Sequence, residues 1–174
     1  MHRPHAFPAT ALLLLALLIR PGCAQTAPAA KFDPNRFLTS WNQIERYPPP
    51  AEKGCLQDSV MLYAPSDKQN SLQVVSSCAL KDGNWNWWGY RGTFDPSDNS
   101  RFKLITLWPF RTEYRVIATA PDYTWALVGS TNHRSLWVLA KATTLPPDVL
   151  AGIEARATAA GFDASKLKKI PQTQ

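Results

Sequence analysis

The sequence predicts an all-β domain: an eight-stranded up-and-down antiparallel barrel with one C-terminal α-helix packed outside it. From Phe37 onward, short apolar segments alternate with turn residues about every ten positions, a spacing typical of antiparallel sheets. The turns are short, which favours a meander over a topology with long crossings. After Pro146-Pro147 the apolar spacing becomes helical. A length of 174 residues, with 45% hydrophobic and 18% charged residues, fits one folded domain and excludes a disordered chain.

The first 24 residues have the pattern of a secretory signal peptide. Arg3 precedes an apolar run at 11–19, and small residues follow the run up to Ala24. The run is too short to span a bilayer as a helix, which needs about 20 apolar residues. We expect cleavage after Ala24 and export to the periplasm or the medium. Residues 25–35, rich in Ala and Pro, are expected to form a flexible lead-in to a domain over 36–172.

Removal of the signal peptide changes the composition. It lowers the formal net charge from +6 to +4, because Arg3 and Arg20 are lost, and it leaves Cys55 and Cys78 as the cysteines of the mature chain. An even number of cysteines is typical of an exported protein.

Cys23 supports a competing interpretation of the same segment. Gly22 before Cys23 is compatible with lipoprotein processing, in which the cysteine is acylated and attaches the chain to the outer membrane. Arg20 and Pro21 do not fit that pattern, because the position three before the cysteine is usually apolar.

The eight strands follow from the apolar segments. Within 88–94 and 101–104, apolar side chains alternate with polar ones, so one face of each strand is buried. Eight strands suffice to close a barrel with a small interior. We place the strands at 40–47, 55–64, 71–80, 84–94, 101–108, 113–120, 124–129 and 135–141.

The later strands are apolar without alternation, as in 136–140, which requires both of their faces to be covered. The covering element is a helix of about 14 residues after Pro147, with Asp148 in its first turn and Gly161 at its end. We expect its apolar face to lie on the strands that contain Ile117, Val128 and Leu139. Residues 166–170 are expected to add a short final strand.

Cys55 and Cys78 are expected to form a disulfide. They are symmetric about a hairpin turn centred at 66–67, which places them opposite each other on adjacent strands. Two buried free thiols are the alternative.

The few reactive residues exclude several kinds of site. His133 is the single histidine after residue 24 and lies in a polar turn, so a histidine-based zinc site or a catalytic triad is not expected. No GxGxxG, GxxxxGKS/T or GxSxG motif occurs. We therefore predict no catalytic residue, no metal ion and no cofactor.

Three segments resemble signature motifs of the lipocalins, in particular those of bacterial outer-membrane lipocalins and apolipoprotein D. The segment 32–41 resembles the first motif, with Trp41 matching and Thr39 where glycine is usual. Asp122-Tyr123 resembles the second motif, and 136–141 resembles the third, with Lys141 where arginine is usual. The similarity covers roughly residues 32–172.

The resemblance implies a role for each of these residues. Trp41, Asp122, Tyr123 and Lys141 would close and stabilise one end of the barrel, with the Lys141 ammonium over the Trp41 ring. The interior would bind a small hydrophobic ligand of the fatty acid or lysophospholipid class. Alternation and family position together predict a lining of Tyr63, Trp88, Tyr90, Phe94, Phe102, Leu104, Tyr114, Val116 and Ala118. Alternatively, these aromatic side chains fill the barrel and leave a very small cavity.

Two other function classes remain. A barrel-fold enzyme acting on a lipid or isoprenoid would need a general acid such as Glu45 or Glu113, for which the sequence shows no partner. A nucleic-acid-binding barrel of the OB type would also be basic and aromatic, but a charge of +4 and export argue against a nucleic-acid partner. Contact between the barrel mouth and a membrane surface is compatible with ligand binding, and the oligomeric state is left open.

Overall fold

The computed structural model describes residues 31–48 and 54–173. The predicted signal peptide and Cys23 lie outside the described residues. No helix in this part of the chain is long and apolar enough to cross a bilayer.

The described chain forms one closed antiparallel barrel, which confirms the predicted fold class. The sheet order is β2-β3-β4-β5-β6-β7-β8-β1, and β1 also pairs with β2, so that the eight strands close on themselves. A short ninth strand pairs with the second half of β1, on the edge opposite β8. The strands are β1 Ser40–Arg46, β2 Gln57–Pro65, β3 Ser71–Ala79, β4 Trp85–Phe94, β5 Arg101–Leu107, β6 Phe110–Thr119, β7 Trp125–Ser130, β8 Leu136–Ala140 and β9 Lys168–Lys169; the α-helices are α1 Pro34–Phe37 and α2 Pro147–Ala159.

The folded region begins before residue 36. Asp33 accepts a hydrogen bond from the backbone N–H of Asn35 and caps α1, and the Phe32 ring lies 5.5 Å from the Phe37 ring. The lead-in predicted over 25–35 therefore falls partly on residues outside the described chain and partly on this ordered turn.

Apolar side chains form two layers, one inside the barrel and one between the barrel wall and α2. Leu127, Leu136 and Val138 belong to the outer layer and pack with Ile153 and Ala157 of α2. Ile117 packs against the same layer, as predicted.

Helix α2 therefore lies on the strands that contain Ile117, Val128 and Leu139, as predicted. The side chains of Val128 and Leu139 themselves belong to the interior cluster, because neighbouring residues of a strand face opposite sides of the sheet. Both faces of these strands are apolar, so the sequence did not reveal which residues point inward.

A register shift in β6 changes the expected position of Ala118. Val116 pairs with Val128, whereas Ala118 pairs with Leu127, so that Ile117 lies at a β-bulge. Ala118 consequently packs with the outer layer and does not face the interior, which is a departure from strict alternation.

The disulfide between Cys55 and Cys78 is present, with the two Cα atoms 5.5 Å apart. The hairpin around it differs from the prediction. Pairs such as Pro65–Leu72 centre the turn between residues 68 and 69, not at 66–67, and Cys55 precedes the first residue of β2. A register shift between Gln57 and Val60 accompanies this offset.

Loss of the disulfide should destabilise the fold. Replacing both cysteines with serine opens a ring whose half-cystines are separated by 23 positions. We expect the free energy of unfolding to fall by about 3 kcal/mol, because the unfolded chain gains conformational freedom. Urea titration measures this change, and reduction of the unmodified protein is the matched control. A double variant within about 1 kcal/mol of the oxidised protein would contradict the expectation.

Glu45 of β1 is a buried carboxylate between the barrel and α2. It is 8% exposed, and its Oε2 atom has no hydrogen-bond partner among the described residues. Burial raises the pKa of Glu45, the neighbouring Glu154 raises it further, and Lys169 opposes the shift. The pKa of Glu45 is higher in the folded than in the unfolded chain. The free energy of unfolding is therefore expected to fall as pH rises through the folded-state pKa, because the buried carboxyl must then ionise.

The substitution Glu45→Gln should therefore stabilise the protein in a pH-dependent way. We expect its free energy of unfolding relative to that of the parent to be higher at pH 8 than at pH 3, where the carboxyl is protonated in both states. Denaturant titrations across this range measure the effect. Equal differences at both pH values would show that the titration of Glu45 is not its source.

Candidate functional site

The barrel has two different ends. Successive strands run in opposite directions, so the start of β1 lies at the same end as the β2–β3, β4–β5 and β6–β7 turns. We call this end, next to α1, the closed end. The β3–β4, β5–β6 and β7–β8 turns lie at the opposite, open end.

Trp41 is the centre of the closed end. It is 1% exposed, and its indole Nε1 donates a hydrogen bond to the carbonyl oxygen of Phe37 at 2.9 Å. The Lys141 Nζ lies 3.8 Å from the centroid of the Trp41 ring and donates a hydrogen bond to the carbonyl oxygen of Ser40 at 2.9 Å. The lysine thus combines a cation–π contact with a backbone hydrogen bond.

The turn between β6 and β7 completes this end. Tyr123 has a φ of 60°, and its ring carries the Arg36 guanidinium at 4.3 Å from the centroid. Its hydroxyl accepts a hydrogen bond from the backbone N–H of Asp33 at 2.7 Å. Asp122 accepts hydrogen bonds from the hydroxyl and the backbone N–H of Thr124, which lower the Asp122 pKa. These side chains tie α1 to the β6–β7 turn.

A cavity of about 90 Å³ lies in the interior toward the open end. Five of the predicted lining residues border it: Tyr63, Tyr90, Phe102, Leu104 and Tyr114. The remaining lining residues are Met61, Val74, Ser76, Thr106, Ser135 and Trp137.

The other predicted lining residues lie elsewhere. Phe94 and Val116 belong to the interior cluster but do not border the cavity. Trp88 is half-buried and pairs with Ser76 across β3 and β4, on the same strand face as Tyr90. Ala118 packs outside the barrel wall.

Sequence reasoning missed six of the lining residues, and β3 and β8 show two different reasons. Val74 and Ser76 alternate with the more exposed Gln73 and Val75, so the period of β3 was an available signal. Trp137 lies in a strand that is buried on both faces, where the sequence carries no such signal.

The cavity is small because aromatic rings fill most of the barrel. Tyr63 packs on Phe37 with ring centroids 4.4 Å apart, and Phe102 lies 5.9 Å from Tyr63 and 5.7 Å from Tyr114. Typical ligand pockets occupy about 300–1,000 Å³. The barrel is therefore largely filled by aromatic side chains, which was the alternative to an open ligand cavity.

The cavity is uncharged, since none of its described lining residues is Asp, Glu, Lys or Arg. Burial raises the pKa of Tyr63 and of Tyr114, so both phenols are neutral at physiological pH. The one buried donor without an acceptor among the described residues of this lining is the indole Nε1 of Trp137. Ser76, Thr106 and Ser135 add hydroxyl groups to the lining, so this surface can hold an apolar group and polar atoms that carry no charge.

The two candidate general acids lie outside the cavity. Glu45 faces α2, and Glu113 lies on the outer wall, where its carboxylate contacts the Arg101 guanidinium at 2.8 Å and the Lys103 ammonium at 3.9 Å. Neither carboxylate reaches the cavity.

His133 is part of a turn at the open end. Its φ is 57°, its ring lies 4.5 Å from the Phe162 ring, and its Nδ1 is 3.1 Å from the carbonyl oxygen of Gly161. It joins the β7–β8 turn to the end of α2. Within residues 31–48 and 54–173, no cluster of three or more His, Cys, Asp or Glu side chains is placed to hold a metal ion.

The contact between Lys141 and Trp41 should contribute to stability. We expect Lys141→Ala to lower the free energy of unfolding by about 1 kcal/mol, because the cation–π contact is lost. Lys141→Arg should retain stability, since a guanidinium also stacks on an indole. Thermal and urea unfolding measure both variants. Lys68→Ala, at an exposed position of another turn of the closed end, is the control, and an equal effect there would argue against a specific contact.

Comparison with known proteins identifies relatives in bacteria. A family model described as a lipocalin-like domain matches residues 32–172. The outer membrane lipoprotein Blc of Escherichia coli K12 is 30% identical over 143 residues, which cover 81% of this chain and 80% of that protein. Blc of Citrobacter freundii is 28% identical over 174 residues, covering 95% and 96% of the two chains.

Solved structures share the fold at lower identity. Lobster apocrustacyanin A1 matches with a TM-score of 0.63 at 16% identity and covers 80% of this chain and 79% of its own. Insecticyanin from the tobacco hornworm Manduca sexta matches with a TM-score of 0.60 at 17% identity, covering 82% of each chain. The barrel, its closed end and the match over residues 32–172 agree: the chain belongs to the lipocalin-like family.

Proposed function

We propose that this protein binds a small hydrophobic ligand of the fatty acid or lysophospholipid class in the open half of its barrel. The observation that carries the proposal is the uncharged interior cavity, whose lining combines apolar side chains with hydroxyl groups and includes Trp137, a residue whose indole N–H is buried without an acceptor among the described residues. An amphiphile matches this arrangement, because its chain is apolar and its head carries oxygen acceptors.

The lining supports one orientation of the ligand. The acyl chain would lie among Met61, Val74 and Leu104, where each methylene removed from water contributes about 0.8 kcal/mol. An oxygen of the head group would accept the hydrogen bond from Trp137 Nε1. A buried donor left without an acceptor costs about 1–3 kcal/mol, so such a bond favours the bound state.

A long acyl chain requires the cavity to enlarge beyond its 90 Å³. Two aromatic side chains of β4 lie on the side of the cavity where burial is incomplete. Tyr90 borders the cavity, Trp88 lies on the same strand face, and both are half-buried. We propose that these two rings move outward when a chain enters, whereas the rings at the closed end stay in place.

The proposed location is the bacterial cell envelope. The disulfide requires an oxidising compartment, and the bacterial relatives are named outer membrane lipoproteins. Cleavage after Ala24 would release the protein into the periplasm or the medium, whereas acylation of Cys23 would attach it to the outer membrane.

Titration of the delipidated protein with dodecanoic acid, followed by calorimetry, tests the proposal. We expect saturable binding. Val74→Phe should weaken it at least tenfold by filling the cavity, and Leu62→Phe on the exposed outer face of β2 should not change it. Trp137→Phe should weaken binding roughly tenfold, because a hydrogen bond to a charged acceptor is lost.

The same titration separates the alternatives. Dodecanoic acid that binds equally to the parent and to Val74→Phe would place the ligand outside the barrel and contradict the proposal. Circular dichroism of each variant shows whether the barrel is intact, so that loss of binding is not confused with loss of fold.

A further inference from the structure

Four large apolar side chains are exposed on one side of the open end. They are between 51% and 77% exposed. Two belong to the start of β4 and two to the β5–β6 hairpin, and these strands are neighbours because β4 pairs with β5. The four residues are Trp85, Trp87, Trp108 and Phe110. Soluble proteins rarely group exposed aromatic side chains in this way unless the surface has a binding partner.

These aromatic side chains do not belong to the ligand cavity. Tyr90 faces the interior and borders the cavity, so Trp85 and Trp87, an odd number of positions away, face outward. Trp108 is part of the two-residue turn between Leu107 and Phe110 and is 77% exposed. None of the four borders the cavity, which means that ligand binding does not explain them.

Basic side chains lie next to the aromatic ones on the same outer wall. Arg91 and Arg111 both pair with Ile105 across neighbouring strands, which places the two guanidinium groups on either side of β5. Neither arginine forms an ion pair within the described residues. Both border an outer depression of about 300 Å³, together with Lys68, Lys103 and Asp67.

The wall is basic further toward the closed end as well. Arg101 lies directly opposite Arg115 in the register of β5 and β6, an arrangement that normally disfavours strand pairing. Glu113 compensates part of this charge through its contact with Arg101 at 2.8 Å. A surface that keeps this excess of positive charge is suited to an anionic partner.

The positions of the aromatic and the basic side chains along the barrel axis point to a lipid surface. Arg91 follows Trp87 by four residues, about 13 Å along the strand, or about 10 Å along the axis of a tilted barrel. Aromatic side chains prefer the boundary between head groups and acyl chains, and arginine prefers the phosphates outside it. A spacing of this size lets the aromatic layer enter the boundary while the arginines meet the phosphates.

We propose that this wall docks on an anionic phospholipid bilayer, with the open end of the barrel turned toward the membrane. The docking face combines Trp85, Trp87, Arg91 and Arg111 of the outer wall with Trp108 and Phe110 at the rim of the open end. The same residue types would fit single-stranded nucleic acid if they were interleaved, because bases stack between phosphate contacts. Here Asn86 and Pro109, and no cation, stand between the aromatic residues of each pair, and Arg91 and Arg111 follow them farther from the rim, so the bilayer is the better match. The docking face does not depend on whether the cavity binds a ligand.

Local contact with the bilayer is measured with an environment-sensitive fluorophore on the full chain carrying Cys23→Ser. One variant carries the label at Trp108→Cys, and the matched control carries it at Ala151→Cys on the exposed face of α2, which covers a different part of the barrel wall. With vesicles of phosphatidylethanolamine and phosphatidylglycerol, we expect a blue shift and lipid-borne quenching at position 108 and none at position 151. No shift at position 108, or equal shifts at both positions, would overturn the proposal.

Charge reversal tests the basic layer by vesicle co-sedimentation. Arg91→Glu with Arg111→Glu should lower partitioning onto phosphatidylglycerol vesicles at least tenfold. Lys31→Glu with Arg156→Glu changes the net charge equally at exposed positions away from the docking face and should lower it less than threefold. Trp108→Ala with Phe110→Ala should also lower it at least tenfold. Equal losses in both charge-reversed proteins would show that net charge, and not the docking face, is responsible.

A nucleic-acid partner is the remaining outcome. Binding of a single-stranded oligonucleotide that is lost with Arg91→Glu and Arg111→Glu, while vesicle binding is unchanged, would replace the bilayer as the partner. Near-UV circular dichroism and the dodecanoic acid titration of each variant report whether its barrel is intact.

Discussion

The pairing of β1 with strands on both of its sides is the constraint on which the structure depends. Residues 40–42 of β1 pair with β2, and residues 42–46 pair with β8. One strand thereby removes both edges of the sheet. A register shift between Gln43 and Glu45 lets β1 bend while it does this. The closed barrel encloses Trp41, and the second half of β1 is left free to pair with β9.

Closure divides the wall of the barrel into two regions with different environments. The region formed by β6, β7 and β8 is apolar on its outer face and is covered by α2 through Ile153 and Ala157. The region formed by β4, β5 and the start of β6 has no such cover within the described chain, and its outer side chains include the aromatic Trp85 and Trp87 and the basic Arg91 and Arg111. The helix therefore determines which part of the wall remains available to a partner.

Stability and the proposed binding roles belong to opposite ends of the barrel. At the closed end, Trp41, Tyr123 and Lys141 make hydrogen bonds and cation–π contacts that tie three segments together. At the open end, β4, β5 and β6 contribute residues both to the cavity and to the docking face. A ligand leaving the cavity of a docked protein would consequently meet the bilayer before it met water.

The amino-acid sequence by itself determined the strand count, the meander, the C-terminal helix and the disulfide, because alternation, turn residues and cysteine number are local patterns. It also placed Trp41 and Lys141 together through the resemblance to lipocalins. Only the tertiary structure decided which side of β7 and β8 faces inward, since both faces are apolar, and it moved Ala118 to the outer layer through a bulge. The size of the cavity was likewise decided by packing, because the sequence shows which rings are present but not how closely they meet.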